Sequence, residues 1–320
     1  MTYKTGDWIP TRDAYGEALC ELGEKNKKVV VFEADISKST RTNLFGKKFP
    51  ERYFNVGVAE QNEMAIAAGA AMCGKISFVS TYAVFASMRA CEQVRTFVAY
   101  PHLNVKICPS HGGITPANDG VTHQGTEDLG IMRTIPGMTV LMPADANATK
   151  KLLFAAAEWD GPVYLRLTRD SVPIIYDEKT DFTIGKGILL REGKDVTIIA
   201  LGDMVSKALD AANLLSTEEI SAEVIDMHTI KPLDGDIILN SVKKTRTVVT
   251  VEDHQVECGL GGAVSEFLGE NYPVPVRRIG FRNTFAESGE YELLLEKYGM
   301  SVKHITAGCL NSIKMKGKIR

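Results

Sequence analysis

Short β-branched apolar runs alternate with longer helical patterns along the first half of the chain. KKVVVFEA (27–34), RYFNVG (52–57), KISFVS (75–80), LNVKIC (103–108), MTVLMP (138–143) and PVYLRL (162–167) read as strands. Between them, AEQNEMAIAAGAAM, AVFASMRACEQVRTFVAY and ADANATKKLLFAAAEW read as helices. Strands that are continuously apolar are buried on both faces, and a helix in each connection supplies the cover. The pattern therefore predicts a mainly parallel sheet. It breaks down at SVPIIYDEKTDFTIGKGILLREGKD (171–195), which is polar and irregular and reads as an interdomain linker. A second alternation follows. DVTIIALG (195–202), SAEVIDMH (221–228), TRTVVTVED (245–253) and VPVRRIG (274–280) read as strands, and MVSKALDAANLL and LGGAVSEFLGE as helices. The expectation is an α/β chain of two doubly wound domains: residues 1–175, a linker at 176–194, and a smaller α/β domain at 195–320.

Composition narrows the function classes. Hydrophobic content of 44% with 24% charged residues is that of a soluble globular protein. A net charge of −3, from 37 basic and 40 acidic residues, gives no electrostatic case for nucleic acid or for a membrane surface. The first residues, MTYKTGDWIP, lack the apolar region of a signal peptide, and no stretch reaches the length of a membrane span. Six cysteines, at 20, 73, 91, 108, 258 and 309, form no C-x-x-C pair, which predicts reduced, mostly buried thiols in a cytoplasm. Neither G-x-G-x-x-G nor G-x-x-x-x-G-K-[ST] occurs, and CGLGGAV near 258–264 reads as a turn or a close helix packing.

The candidate chemistry is concentrated in one loop. HGGITPANDGVTHQ (111–124) places His111, Asp119 and His123 within thirteen residues, directly after a predicted buried strand. Open parallel sheets keep their ligands outside the carboxyl ends of the strands. Pro116 and the Asn-Asp-Gly turn exclude a single helix face. Three readings stay open at this level: a polar surface loop, a metal triad, or a hydrogen-bonding site for a polyhydroxylated or phosphorylated ligand. Glu60 begins a helix of small apolar residues, where a carboxylate either complements the helix dipole or, if desolvated, holds or shares a proton. Tyr82, Phe85 and Met88 follow the next strand at i, i+3, i+6, the spacing of a core stripe as much as of a ligand box. Arg12, Ser39 and Arg169 are phosphate-capable groups near element ends, and Asp35 closes the first strand at a site or cap position.

Glu60 in its strand-to-helix setting, STYAVFASMRACEQVR, the D-G-x-T-H-Q of the 111–124 loop, and MPADAN together resemble the transketolase family of thiamine-diphosphate enzymes. The resemblance covers about residues 10–310 and corresponds to the carboxyl-terminal half of a full-length transketolase, the pyrimidine-binding domain plus the terminal domain. It implies that Glu60 bonds N1′ of the aminopyrimidine and favours the imino tautomer that deprotonates the thiazolium. It implies that Tyr82 and Phe85 pack around that ring and that Asp35 lines the cofactor near the thiazolium. His111 resembles a histidine beside the reacting carbon, and Asp119 the carboxylate that reads the neighbouring hydroxyl. Arg12, Ser39, His123 and Arg169 match residues that grip the sugar phosphate. A pocket that generates a carbanion needs this combination of proton shuttle, dry walls and cationic clamp.

Three departures matter. Met88 stands where many relatives have a third aromatic. AEQ and D-G-x-T-H are shared with 1-deoxyxylulose-5-phosphate synthase, a sister family that usually has arginine where this chain has His111. The beta subunits of 2-oxo acid dehydrogenases share the glutamate but lack D-G-x-T-H. Finally, the family holds the diphosphate and its Mg2+ or Ca2+ with a G-D-G motif, and none occurs here. The resemblance thus implies one subunit of a split transketolase. An amino-terminal partner would carry the diphosphate and metal ligands in a heterotetramer, with no metal ligand on this chain. Its reaction would move a two-carbon ketol unit from a ketose phosphate such as xylulose 5-phosphate to an aldose phosphate such as ribose 5-phosphate. The alternatives are a synthase-like enzyme half and a non-catalytic regulatory subunit.

Overall fold

The computed structural model describes residues 3–316. In chain order its strands are β1 (Trp8–Pro10), β2 (Val29–Glu33), β3 (Tyr53–Asn55), β4 (Ile76–Ser80), β5 (Val105–Ile107), β6 (Thr139–Leu141), β7 (Val163–Leu165), β8 (Ser171–Pro173), β9 (Ile188–Arg191), β10 (Val196–Ala200), β11 (Ala222–Asp226), β12 (Thr229–Lys231), β13 (Val248–Gln255) and β14 (Val276–Phe281). A seven-stranded sheet has the order β12-β6-β7-β5-β4-β2-β3, parallel throughout except for β12. A five-stranded sheet has the order β14-β13-β10-β11-β9, parallel except for β9. The fold is the expected pair of doubly wound α/β domains.

The runs that are apolar in sequence are buried on both faces. In β2, Val29 and Val31 pack with Tyr15, Leu19 and Leu22 of helix Thr11–Lys25 and with Leu152 and Leu153 of helix Ala146–Glu158. Val30 and Phe32 point the other way and meet Met64, Ala67 and Ala68 of helix Glu60–Met72. Successive strand side chains alternate between faces, so each needs its own helical cover. The small side chains of Glu60–Met72 let it lie close to the sheet.

The segment read as a linker carries structure. Strand β8 pairs with β1 in a separate antiparallel ribbon, and β9 adds antiparallel to β11 as an edge of the second sheet. Strand β12 is a further departure: it belongs in sequence to the second domain yet closes the edge of the first domain's sheet beside β6. One hydrophobic cluster accordingly runs from Val140 and Met142 into Ile199, Leu201, Ile225 and Met227. The two domains share a core.

Among the described residues, no helix is long and apolar enough to cross a membrane. All six cysteines are unpaired, but they are not mostly buried as expected: Cys108 and Cys309 are buried, Cys20 and Cys91 partly so, and Cys73 and Cys258 are exposed.

Candidate active site

In the first sheet, β3 lies on one side of β2 and β4 on the other. The connections part there, and the crevice at the strand ends is where open α/β sheets place ligands. Asp35 follows β2, Tyr82 follows β4, His111 follows β5, and Glu60 follows β3 at the start of its helix.

Glu60 is 2% exposed. It is ion-paired: Arg89 Nη1 donates to both of its carboxylate oxygens, at 2.8 and 2.9 Å. The Arg89 side chain is 48% exposed, and its guanidinium lies 4.2 Å over the Phe85 ring. Two more carboxyls stand close by. Glu63 is fully buried, and burial pushes it well above the usual carboxylate range, helped by the Glu33 and Glu60 charges. Burial also pushes Glu33 up.

The rings gather as the loop and the β4 end come together. Tyr82 packs against His111 with centroids 3.9 Å apart and the rings tilted by 31°, lies 5.7 Å from Phe85, and meets His123 edge-on at 5.6 Å. Phe85 meets His123 at 5.9 Å. Met88 leaves this group and is 48% exposed. The reason is backbone winding: Phe85–Arg89 forms a π-helical turn closed from Ala90 N–H to Phe85 C=O. One extra residue per turn breaks the i, i+3, i+6 stripe and brings Arg89 to Glu60. Single π turns of this kind recur at functional sites.

His111 is 1% exposed, and its Nδ1 lies 2.8 Å from Ser110 Oγ. Burial, then the Arg12 and Arg169 charges, push its imidazole down to about 2. It is a neutral ring. Arg12 Nη1 donates to the Ser39 carbonyl at 3.1 Å, while its buried Nε has no hydrogen-bond partner. Burial and the neighbouring Arg41 lower Arg12. Arg169 Nε is 3.5 Å from Asp119 Oδ2, and its Nη1 donates to the Pro116 carbonyl. His123 Nδ1 is 2.9 Å from Thr122 Oγ1. Thus Tyr82, Phe85, His111 and His123 share one ring cluster, Arg12 meets Ser39, and Arg169 meets Asp119. Asp35 stands on the exposed end of β2 and accepts from Asn55 Nδ2 at 2.9 Å rather than joining the rings.

The metal reading of the loop finds no shell: no three His, Cys, Asp or Glu side chains converge on one point among the described residues. The MPADAN motif is a scaffold piece. Asp145 is buried, caps helix Ala146–Glu158 by accepting from Ala148 N–H, and also accepts the N–H groups of Ile175 and Tyr176. The glycine-rich turn near 258–262 does not hold a foreign anion either. Glu252 accepts both Leu260 N–H and Gly261 N–H at 2.7 Å, so the helix N-terminus is already filled. The sequence did not mark Arg89, Arg166 or Asp253; all three act through residues distant in the chain.

Comparisons with known proteins give the family. Residues 7–174 match the transketolase pyrimidine-binding domain, and residues 185–305 the transketolase C-terminal domain. The chain is 47% identical over 318 residues to a protein of Methanocaldococcus jannaschii described as a transketolase C-terminal section, covering 98% of this chain and 99% of that one. It is 46% identical over 298 residues to a 6-deoxy-6-sulfo-D-fructose transketolase subunit of a Clostridium species, covering 93% and 92%. A solved structure titled split gene transketolase, inactive beta4 tetramer, superposes with a TM-score of 0.89 at 48% identity, over 97% of this chain and 100% of that chain. The chain belongs to the transketolase family, as a pyrimidine-binding domain followed by the family's C-terminal domain.

Proposed function

We propose that this chain is the catalytic pyrimidine-domain subunit of a split transketolase, moving a two-carbon ketol unit from a ketose phosphate to an aldose phosphate. One observation carries this: the partner of the buried Glu60 carboxylate is a half-exposed arginine lying over Phe85, and Phe85 belongs to the ring cluster of Tyr82, His111 and His123. That donor set fits an aminopyrimidine. A flat ring with N–H groups on its edge finds aromatic faces and a carboxylate that can exchange its partner, because Arg89 can turn to water. Thiamine diphosphate, when bound, supplies the electron sink for cleavage of the bond next to a carbonyl.

The chain's own residues then divide the work. Glu60 accepts from the ring edge and holds the proton there. Tyr82 and Phe85 exclude water from its faces, and Asp35 lines the opening. His111, neutral and packed against Tyr82, donates or accepts at the sugar carbonyl and hydroxyls, and Asp119 accepts from the neighbouring hydroxyl. Arg12, Arg169, His123 and Ser39 form the phosphate clamp. Arg12 Nε makes no hydrogen bond, with Asp13 Oδ1 3.7 Å away, and the guanidinium groups of Arg41 and then Arg169 act against the Arg12 charge, which favours an anion beside Arg12.

Among its described residues the chain presents no recognised loop for the diphosphate end. It has no Gly-Asp-Gly motif, and Glu252 fills its glycine-rich helix N-terminus. A partner subunit carrying those ligands, with Mg2+ or Ca2+, completes the site in a heterotetramer of two copies each, closed by twofold symmetry. Free thiols suit a cytoplasmic setting. The description of the split-gene relative as an inactive beta4 tetramer supports a chain that is idle alone. The sulfofructose relative favours a second reading of the substrate, in which a sulfonate replaces the phosphate in the clamp.

The test is an assay of xylulose 5-phosphate with ribose 5-phosphate, cofactor and magnesium, with and without a Gly-Asp-Gly partner chain. Turnover is expected only with the partner. Turnover by this chain with no partner detectable by mass spectrometry sinks the split reading. No turnover of any ketose phosphate by the assembled pair leaves the regulatory alternative.

A further inference from the structure

In the second sheet the connections part between β10 and β13, because β11 lies on the other side of β10. That crevice is where an open α/β sheet would bind a ligand. Here the first domain fills it. Asp203 follows β10, Asp253 lies near the end of β13, and Arg166 enters from just beyond β7; all three are buried. Arg166 Nη2 donates to the backbone carbonyls of Asp253 at 2.8 Å and Gly125 at 3.0 Å. Its Nε is 3.4 Å from Asp128 Oδ2, and Asp203 accepts from the Tyr291 hydroxyl. The Asp253 carboxyl accepts the Ile114 N–H, at 2.9 Å to Oδ2 and 3.1 Å to Oδ1.

Ile114 belongs to the loop that bears His111. The two residues between them are Gly112 and Gly113, and the fit explains both. A Cβ on Gly112 would lie 2.0 Å from Arg166 Nε, and one on Gly113, whose φ is +61°, would lie 1.9 Å from Asp253 Oδ2. His111 itself has a φ of +65°. A non-glycine residue stays in that left-handed region only where its surroundings over-determine it. Three bonds do so: Gly112 N–H to Leu167 C=O at 3.0 Å, Gly113 N–H to Gly125 C=O at 2.7 Å, and Ile114 N–H to Asp253. The third comes from the other domain.

We infer that Asp253, backed by Arg166, is a positioning residue for His111, and that the second domain's crevice serves as a socket for the catalytic loop rather than as a ligand site. The inference rests on the proposed role of His111. Three carboxyls face one guanidinium here, and burial with the Asp203 charge holds Asp253 well above the usual carboxylate range. A protonated Asp253 has the shape of asparagine, so Asp253→Asn should substitute for it.

Two measurements test the socket. In the isolated chain, hydrogen exchange at the Ile114 amide should quicken about 2- to 13-fold in Asp253→Ala, the loss expected for one hydrogen bond to a neutral acceptor, and stay near wild type in Asp253→Asn. Asp253→Ser, too short to reach Ile114, serves if the alanine variant does not fold. In the assembled enzyme, Asp253→Ala should lower kcat with little change in KM, and Asp253→Asn should restore it. Combined with His111→Ala, it should cost nothing further, because both changes remove the same contact. Wild-type exchange at Ile114 in Asp253→Ala, or losses that multiply in the double variant, would overturn the inference. Exchange needs no turnover. Faster exchange without ketol transfer by the wild-type assembly would therefore uphold the socket while removing the function proposed for it.

Discussion

Arg89 Nη1 bridges both carboxylate oxygens of Glu60 while the same guanidinium stacks over Phe85. A buried carboxylate needs a partner, and this one has a partner that water can reclaim. A ligand offering an N–H edge can therefore replace Arg89 without stranding either charge.

The exchange makes Glu60 testable apart from its fold. Glu60→Gln keeps the size and one acceptor but cannot draw a proton from the aminopyrimidine edge. In the assembled enzyme, hydrogen–deuterium exchange at the thiazolium C2 should slow by orders of magnitude. Arg89→Met should instead destabilise the free chain by about 1–3 kcal/mol in thermal unfolding, a value limited by the exposure of Arg89. Wild-type C2 exchange in Glu60→Gln would remove Glu60 from its role.

The proposed phosphate clamp would separate binding from chemistry. Truncating Arg169 removes a charge that already shares Asp119 and Asp170, at 3.5 and 3.6 Å. A charged phosphate contact contributes about 1.5–3 kcal/mol, so Arg169→Ala should raise KM for a phosphorylated acceptor roughly 10- to 150-fold and leave kcat nearly unchanged. Unphosphorylated acceptors should not notice. An equal change for both kinds of acceptor would show that Arg169 serves the loop through Pro116 and not the substrate.

The sequence revealed the layers because β2, β4 and β10 are mainly apolar runs long enough to stand out, and β11 carries an apolar centre, each five residues buried throughout. It missed β1, β8, β9 and β12, edge strands of three or four residues whose pairing is set by tertiary contacts. The loop at 111–124 was legible as chemistry because His, Asp and Gly crowd behind a strand. Its support was not, since Asp253 and Ile114 are 139 residues apart. Two traces were present: the Gly112-Gly113 pair, which requires something close behind it, and the apolar run TVVTVED, which ends on two acids. The π turn at Phe85–Arg89 left no periodic signal, because its effect is to break the period.

His111 should carry no charge anywhere near neutral pH. Its folded value near 2 lies below the unfolded value of about 6.5, with burial the largest cause. The stability this represents is present above about pH 6.5 and is lost as pH falls below it, because only the unfolded chain then takes up the proton. The His111 ring signals, followed by NMR, should therefore stay flat from about pH 5 to pH 8, and His111→Asn should weaken the acid-side loss of stability. A midpoint inside that window would mean that water reaches the ring and that its contact with Tyr82 opens.

Asp226 sets the opposite slope, at the seam between the domains. Its Oδ2 accepts from the Tyr176 hydroxyl at 2.6 Å, and its Oδ1 has no partner among the described residues. Burial pushes the carboxyl up to about 7, against the opposing effect of the Tyr176 bond. The folded chain thus binds more protons than the unfolded one between about pH 4 and pH 7, and stability from this group falls as pH rises through that window. Asp226→Asn mimics the protonated form and keeps an acceptor for Tyr176. It should match wild type near pH 4 and exceed it at pH 8 by on the order of 1–4 kcal/mol in urea unfolding. A constant difference between the two proteins across the range would show that Asp226 stays charged, held by solvent entering the seam.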